Sequence, residues 1–202
     1  MSRRNVAVLA SLLGSLVLTS GLLLVVAPAP LTPDAAQRLF ATDQYDSLER
    51  IFDTEASIKP GRWQAIYIHH SKSRAGNALD LAGATGGMGD HFLIGNGNGC
   101  ADGEIQVGQR WTSQHAAKPA NGKQPLPQLA AASDNYIGIC LVGDFDQAAP
   151  TAAQMQRLEQ LVQALQRKLA IPGKAILAFD RPGNAGIGRQ FPAVAFSERI
   201  LP

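Results

Sequence analysis

Hydrophobic positions along the chain follow two different periods, which predict short strands and one long helix. Short apolar runs rich in β-branched residues predict the strands. They occupy residues 63–69, 91–94, 104–107, 136–142 and 175–179. A glycine-rich turn separates the second run from the third and predicts a hairpin. A weaker helical pattern covers residues 75–81, and residues 112–134 form a polar stretch that is typical of a long surface loop.

The clearest helix follows Thr151. The pair Thr151 and Gln154 has the spacing of a capping box, in which each side chain satisfies a free backbone N–H of the helix start. Apolar residues then recur at helical spacing up to Leu169, and Pro172 with Gly173 predicts the end. Strands mixed with helices in this order predict an α/β fold, with a mixed central sheet flanked by helices.

A long apolar run marks the N-terminus. Arg3 and Arg4 precede an uncharged stretch at residues 6–27. A basic start followed by an apolar segment is typical of export signals, and this run is longer than the usual secretory segment of about 7–15 residues. It could span the ~30 Å hydrocarbon layer as a helix. The pattern therefore favours a transmembrane signal anchor over a cleaved signal peptide, with a buried core helix as the third interpretation.

Proline and glycine punctuation divides the remaining chain. Residues 1–30 form the predicted signal anchor or signal peptide, residues 31–60 a linker with short helical pieces, and residues 61–202 the folded domain. Positive charge stays on the cytoplasmic side of a membrane. The domain is therefore expected to face the periplasm or cell exterior, anchored through residues 6–27, or to be secreted after cleavage.

Charge and cysteine content narrow the possible classes of protein. The 202-residue chain has a formal net charge of +2 and 46% hydrophobic residues, which indicates a globular core and no nucleic-acid partner. Cys100 lies in a glycine-rich loop and Cys140 in a predicted strand. An oxidising compartment would permit a disulfide between them, while the alternative is a loop thiol and a small core residue.

Histidines are the candidate metal ligands. The chain has four, at positions 69, 70, 91 and 115. A catalytic zinc site usually combines three protein ligands with one open position for water. Because side chains alternate across a strand, His69 and His70 point to opposite faces, and only one of them can face a given cleft. The alternative for each histidine is a hydrogen-bonded structural role.

Three stretches of the chain resemble the N-acetylmuramoyl-L-alanine amidase type 2 and peptidoglycan recognition protein family. They are Ile-Tyr-Ile-His-His-Ser at residues 66–71, Gly-Asp-His-Phe-Leu-Ile at 89–94 with Asp-Gly-Glu-Ile at 102–105, and Ile-Gly-Ile-Cys-Leu-Val-Gly-Asp-Phe at 137–145 leading into the predicted helix. In this order they cover about residues 63–170. The resemblance implies the fold of that family, which is an α/β fold around a mixed sheet.

The resemblance also implies a zinc site that this chain has largely lost. In the family, two histidines and a cysteine or aspartate hold zinc, which polarises the scissile carbonyl. His69 matches the first ligand. The second position falls on Phe179 and the third on Gly186 or Ile187, none of which binds zinc. Asp90 replaces a tyrosine that often assists catalysis in the amidases. No cofactor is therefore expected, or zinc if the amidase alternative holds.

The resemblance implies that this chain keeps the binding groove of the family. By resemblance its walls include His69, His91, Trp111, His115 and Asn135. The indole of Trp111 offers a flat apolar face for a sugar ring, or it anchors a loop. His115 is either a groove residue or an ordinary exposed histidine, and Asn135 either contacts a ligand or fixes a turn.

Three functions are compatible with this sequence. The favoured one is recognition of peptidoglycan, as muropeptide, by an amidase-like domain that has lost zinc-dependent hydrolysis. The second is an active N-acetylmuramoyl-L-alanine amidase that cleaves the lactyl-peptide amide bond with an unusual metal site. The third is a module of the cell envelope that binds another protein. A fold alone does not separate them.

Overall fold

A five-stranded mixed sheet organises the domain. The computed structural model describes residues 48–82, 88–118, 134–177 and 187–200, together with Ser15. The strands are β1 (Ala65–His70), β2 (Phe92–Ile94), β3 (Ile105–Val107), β4 (Tyr136–Leu141) and β5 (Ile176–Leu177). Their spatial order is β3-β2-β4-β1-β5, and only the β2–β3 pair is antiparallel. The prediction of a mixed central sheet is confirmed.

Helices lie on both sides of this sheet. They are α1 (Ala78–Ala82), α2 (Gln109–Thr112), α3 (Ala152–Leu169) and α4 (Ala193–Ile200), with 3₁₀ turns at Arg50–Phe52 and Gly173–Ala175. The predicted strands and the predicted long helix all appear within a few residues of their expected bounds. Residues 178–179 of the last predicted strand lie outside the described residues.

The start of α3 joins the helix to the sheet. The Thr151 hydroxyl accepts a hydrogen bond from the Gln154 N–H at 3.0 Å, and the Gln154 side chain accepts one from the Thr151 N–H at 3.1 Å, which confirms the capping box. The buried Gln154 amide also donates to the carbonyls of Ile94 and Val142, at 3.1 and 2.9 Å. The cap therefore fixes the helix against the ends of β2 and β4.

The main core lies between the sheet and the helices α3 and α4. Alternate residues of β1 and β4 point into it, among them Ile66, Ile68, Ile137 and Ile139, and all four are almost completely buried. Leucines of α3 and Phe196 of α4 cover them. Because every second strand residue enters this core, the residues between them face the opposite side of the sheet.

The segment before β1 also contributes to the core. Leu48 and Ile51 are buried in it, although residues 31–60 were predicted as a linker. The compact unit that contains the sheet is Asp46–Pro202. The weak helical spacing predicted for residues 45–52 therefore includes two positions, Leu48 and Ile51, that pack in the core.

The predicted anchor at residues 6–27 lies outside the described residues except for Ser15. Among the helices that the structure describes, none combines the length and the apolar character needed to cross a membrane.

Candidate functional site

Three side chains capable of binding a metal meet on the sheet face opposite the main core. His69 of β1 and Cys140 of β4 are direct partners in the parallel register, and Asp90 lies two residues before β2. One ligand atom from each of the three residues lies within 4.8 Å of the other two. His69, Asp90 and Cys140 are called the His69 cluster below.

His69 is held from both ring nitrogens. Its Nδ1 lies 3.2 Å from the carbonyl oxygen of His70, and its Nε2 lies 3.0 Å from Asp90 Oδ1. Burial lowers the pKa of His69, but the Asp90 carboxylate and the His70 carbonyl outweigh burial and raise this pKa above its usual value. The site therefore stabilises positive charge on or near the imidazole.

Tyr67 extends the same face beside the cluster. Its ring stacks on the His69 imidazole with centroids 5.2 Å apart, and it meets Tyr136 edge-on at 6.2 Å. Burial, with the charge of Asp90, raises the pKa of Tyr67 to about 12, so the phenol stays protonated at neutral pH. Tyr67 and His69 are both half-buried, and they provide aromatic surface next to charged groups.

Gly138 makes room for Asp90. A Cβ atom at this glycine would collide with the Asp90 carboxylate, which lies across β4 at this point. The thiol of Cys140, two residues further on, is buried. Burial and the charge of Asp90 raise its pKa well above the usual range. The resemblance to the family predicted only that Asp90 replaces a tyrosine of the amidases, and it predicted no role for Cys140.

His91 is a structural residue behind the cluster. It is completely buried, its Nδ1 accepts a hydrogen bond from the Gly138 N–H at 3.0 Å, and its Nε2 donates to the His115 carbonyl at 2.9 Å. Burial lowers the pKa of His91 to about 4, so the ring is neutral at pH 7. Because His91 follows Asp90 directly, these bonds also fix the backbone that carries the carboxylate.

The structure does not gather the five predicted groove residues on one surface. Trp111 is completely buried in the main core and donates its indole N–H to the Ile51 carbonyl, which leaves no face for a sugar. Asn135 accepts a hydrogen bond from Arg62 at 2.7 Å. The side chain of His115 is exposed, while its carbonyl supports His91. Of the five, only His69 belongs to the cluster.

Of the positions predicted for the second and third metal ligands, only Ile187 belongs to the described residues. Phe179 and Gly186 lie outside the described residues. Ile187 is 1% exposed and packs in the main core, so this position contributes no metal ligand. Cys100 and Cys140 are both free thiols in the structure.

Comparisons with known proteins agree with the fold. The family model described as N-acetylmuramoyl-L-alanine amidase (Amidase_2) matches residues 59–185. The solved N-acetylmuramoyl-L-alanine amidase LysC from Clostridium intestinale URNW is 18% identical, and the match covers 73% of this chain and 95% of that one with a TM-score of 0.51. This likeness shows a shared fold. None of the curated protein sequences matches the chain significantly.

Two further solved structures give weaker matches. The endolysin LysCS from the same Clostridium strain is 20% identical over 73% of this chain and 90% of its own, with a TM-score of 0.48. Human PGRP-IBETAC, solved in complex with glycosamyl muramyl pentapeptide, is 19% identical over 71% and 95%, with a TM-score of 0.43. The family model alone covers more than half of the chain and includes every strand that builds the His69 cluster. This chain therefore belongs to the N-acetylmuramoyl-L-alanine amidase family.

Proposed function

We propose that this chain recognises muropeptide, the repeating fragment of peptidoglycan, on the sheet face that carries the His69 cluster, and that it binds without cutting. The observation that carries the proposal is the position of the cluster within the matched family region at residues 59–185. The family is named for the bond between N-acetylmuramic acid and L-alanine, so its fold presents a surface for that sugar and peptide. His69 occupies the matching strand of this chain.

The chemistry of the surface suits such a ligand. Tyr67 and His69 give stacked rings, which can pack on the apolar face of a sugar or on a peptide stem. The Asp90 carboxylate, 18% exposed beside them, can accept hydrogen bonds from amide N–H or hydroxyl groups. An apolar wall with a few fixed polar groups is the usual composition of a small-ligand site.

The absence of cutting is proposed from the ligand positions of the family. Three protein ligands and an open site are the usual requirement for zinc hydrolysis. Of the family's three positions, His69 is retained, Phe179 carries no donor, and the third falls on Gly186 or on Ile187, which is buried in the core. Binding of muropeptide uses the His69 ring as a contact surface and needs no metal at these positions.

The test is equilibrium binding of a fluorescent muramyl peptide to the full chain. We expect saturable binding that weakens about tenfold or more in His69→Ala and Tyr67→Ala, since about 1.4 kcal/mol of contact energy corresponds to that factor. Val194→Ala, on the exposed surface of α4, is the matched control and should bind as the parent. Unsaturable binding, or equal affinity in all four proteins, would refute the proposal.

Hydrolysis is the second candidate, and the His69 cluster is the observation that favours it. The cluster supplies imidazole, carboxylate and thiol donors near one point, which are the donor types of zinc sites. Zinc bound there would polarise an amide carbonyl and activate water, while Tyr67 and the cluster would orient the muropeptide. Release of the stem peptide from purified peptidoglycan, abolished by a chelator and restored by zinc, would favour hydrolysis over recognition.

Location outside the cytoplasm completes the proposal. Peptidoglycan lies beyond the cytoplasmic membrane, and the apolar run at residues 6–27 would export the domain and anchor it, or be cleaved. Protease added to intact spheroplasts should therefore degrade residues 61–202. A domain that stays protected until the cells are lysed would contradict this location and remove access to the ligand.

A further inference from the structure

We propose that His69, Asp90 and Cys140 bind one divalent metal ion of the zinc class, through a ligand set that shares only His69 with the zinc site of the family. The proposal goes beyond muropeptide recognition, because the metal would bind without any muropeptide present. It also assigns new roles to Asp90 and Cys140. It replaces donors from the C-terminal part of the family fold by donors from the sheet.

The placement of the three residues comes from three neighbouring strands. In the sheet β4 lies between β2 and β1. Cys140 pairs with His69 on one side and with Leu93 of β2 on the other. Asp90 precedes β2 and reaches over Gly138 towards His69. All three side chains therefore stand on a rigid base, which favours a defined metal geometry.

The hydrogen bonds of His69 aim one nitrogen into the cluster. Nδ1 lies 3.2 Å from the His70 carbonyl, which only accepts hydrogen bonds, so a proton on Nδ1 would be donated to that carbonyl. Nε2 then faces Asp90 at 3.0 Å. A metal-binding histidine usually donates its other N–H to a carbonyl or carboxylate in this way. With a metal present, Nε2 would bind through its lone pair.

The ligand atoms of the cluster have to move only slightly to reach the distances of a zinc site. Bonds of about 2.0–2.3 Å to zinc separate the ligands of a tetrahedral site by about 3.3–3.8 Å. The ligand atoms of the cluster lie within 4.8 Å of one another, so the widest pair has to approach by about 1 Å, which rotation of the Asp90 or Cys140 side chain can supply. The His69 and Asp90 side chains are 21% and 18% exposed, which gives an ion access from solvent.

The donor types select the metal. A carboxylate and a thiolate would together balance the two charges of a divalent ion, and a neutral imidazole completes the set. Thiolate and imidazole favour zinc and related transition metals, whereas magnesium and calcium prefer oxygen ligands alone. Cobalt(II) can replace zinc as a coloured probe, because thiolate binding to cobalt adds a charge-transfer band that oxygen and nitrogen ligands do not give.

The experiment is titration of the metal-free full chain with cobalt(II), followed by absorption and by metal content after gel filtration. We expect one cobalt per chain, a thiolate charge-transfer band and displacement by zinc. Cys100→Ser is the matched control, because it leaves Cys140 as the only thiol of the chain and should keep the full band. Cys140→Ser should lose the band, and His69→Ala and Asp90→Asn should each weaken binding at least tenfold.

Three results would overturn the proposal. Absence of stoichiometric cobalt, loss of the band in Cys100→Ser, or its persistence in Cys140→Ser would each show that the cluster is not the site. If Cys140→Ser fails to fold by circular dichroism, the single-thiol Cys100→Ser protein still decides, since its band can come from Cys140 alone. Muropeptide binding is measured separately on the metal-free and loaded chains, so the two proposals can fail independently.

Discussion

The two faces of β1 and β4 carry opposite chemistry, although neighbouring residues of the same strands form them. One face buries Ile66, Ile68, Ile137 and Ile139 under α3. The other carries polar and aromatic groups, with Cys140 placed directly beside His69. The first face has the properties of a stabilising core, and the second has those of a ligand site.

This difference separates stability from function along a single strand. Burial of an aliphatic side chain stabilises the fold by roughly 1.5–3 kcal/mol, whereas a charged pair such as His69 and Asp90 at a partly exposed surface stabilises it little. Substitutions on the core face should therefore affect unfolding, and substitutions on the site face should affect binding. Four predictions test this division.

The largest effect is expected from adjacent residues of β4. Ile139→Ala should lower the free energy of unfolding by about 2–5 kcal/mol, because it leaves a cavity in the core. Cys140→Ala removes a single buried sulfur and should cost roughly 1 kcal/mol or less. Urea denaturation of both variants measures the contrast, and similar losses would mean that the two faces do not differ in this way.

The second prediction concerns pH and the buried His91. Its pKa is lowered from 6.5 to about 4 in the folded chain, so between these values the unfolded chain binds a proton that the folded chain does not. The contribution of the neutral His91 to the free energy of unfolding is therefore fully present above about pH 6.5. It is lost as the pH falls towards 4, by about 3 kcal/mol in total. Urea denaturation between pH 7 and 4.5 should show a shallower pH dependence in His91→Gln. Parallel curves for the two proteins would exclude His91 as the cause.

The third prediction concerns the cap of the helix that covers the core face. Thr151→Ala removes the hydroxyl that accepts the Gln154 N–H and should cost about 1 kcal/mol. Thr151→Ser keeps the hydroxyl and serves as the control, with a smaller change. Thermal unfolding followed by circular dichroism measures both, and equal losses would mean that the methyl group rather than the cap is responsible.

The smallest effect on stability is expected on the site face, at Gly138. Gly138→Ala places a methyl group against the Asp90 carboxylate, which is the movable end of a side chain. The free energy of unfolding should therefore change by about 1 kcal/mol or less. Displacement of Asp90 from His69 should nevertheless weaken cobalt(II) binding about tenfold. Calorimetric titration measures that affinity, and unchanged binding would show that Asp90 is not a ligand.

The elements of the fold could be predicted because their signals are local. The capping box at Thr151 and the apolar spacing up to Leu169 both depend on residues within one helix. The short apolar runs similarly predicted the strands. Burial of Leu48 and Ile51 was missed, because the weak helical pattern of that segment does not reveal that it packs against a distant core.

The candidate site depended on information that a single sequence does not contain. Cys140 meets His69 only through the register of two strands separated by most of the domain, and Asp90 reaches them only because Gly138 lacks a side chain. The resemblance predicted Trp111 as a groove residue, with a loop anchor as the alternative, whereas the structure buries it within α2 against the core. The alternation of β1 did place His69 and His70 on opposite faces.

The most direct test of muropeptide recognition at the His69 cluster is a chemical-shift map of the isotope-labelled chain during titration with a muramyl peptide. We expect the largest changes at Tyr67, His69, Asp90 and Cys140. A cavity of about 560 Å³, lined by residues that include Glu49, Asp53 and Lys168, shares no residue with the cluster. Changes centred on that cavity, or no changes at all, would contradict the account.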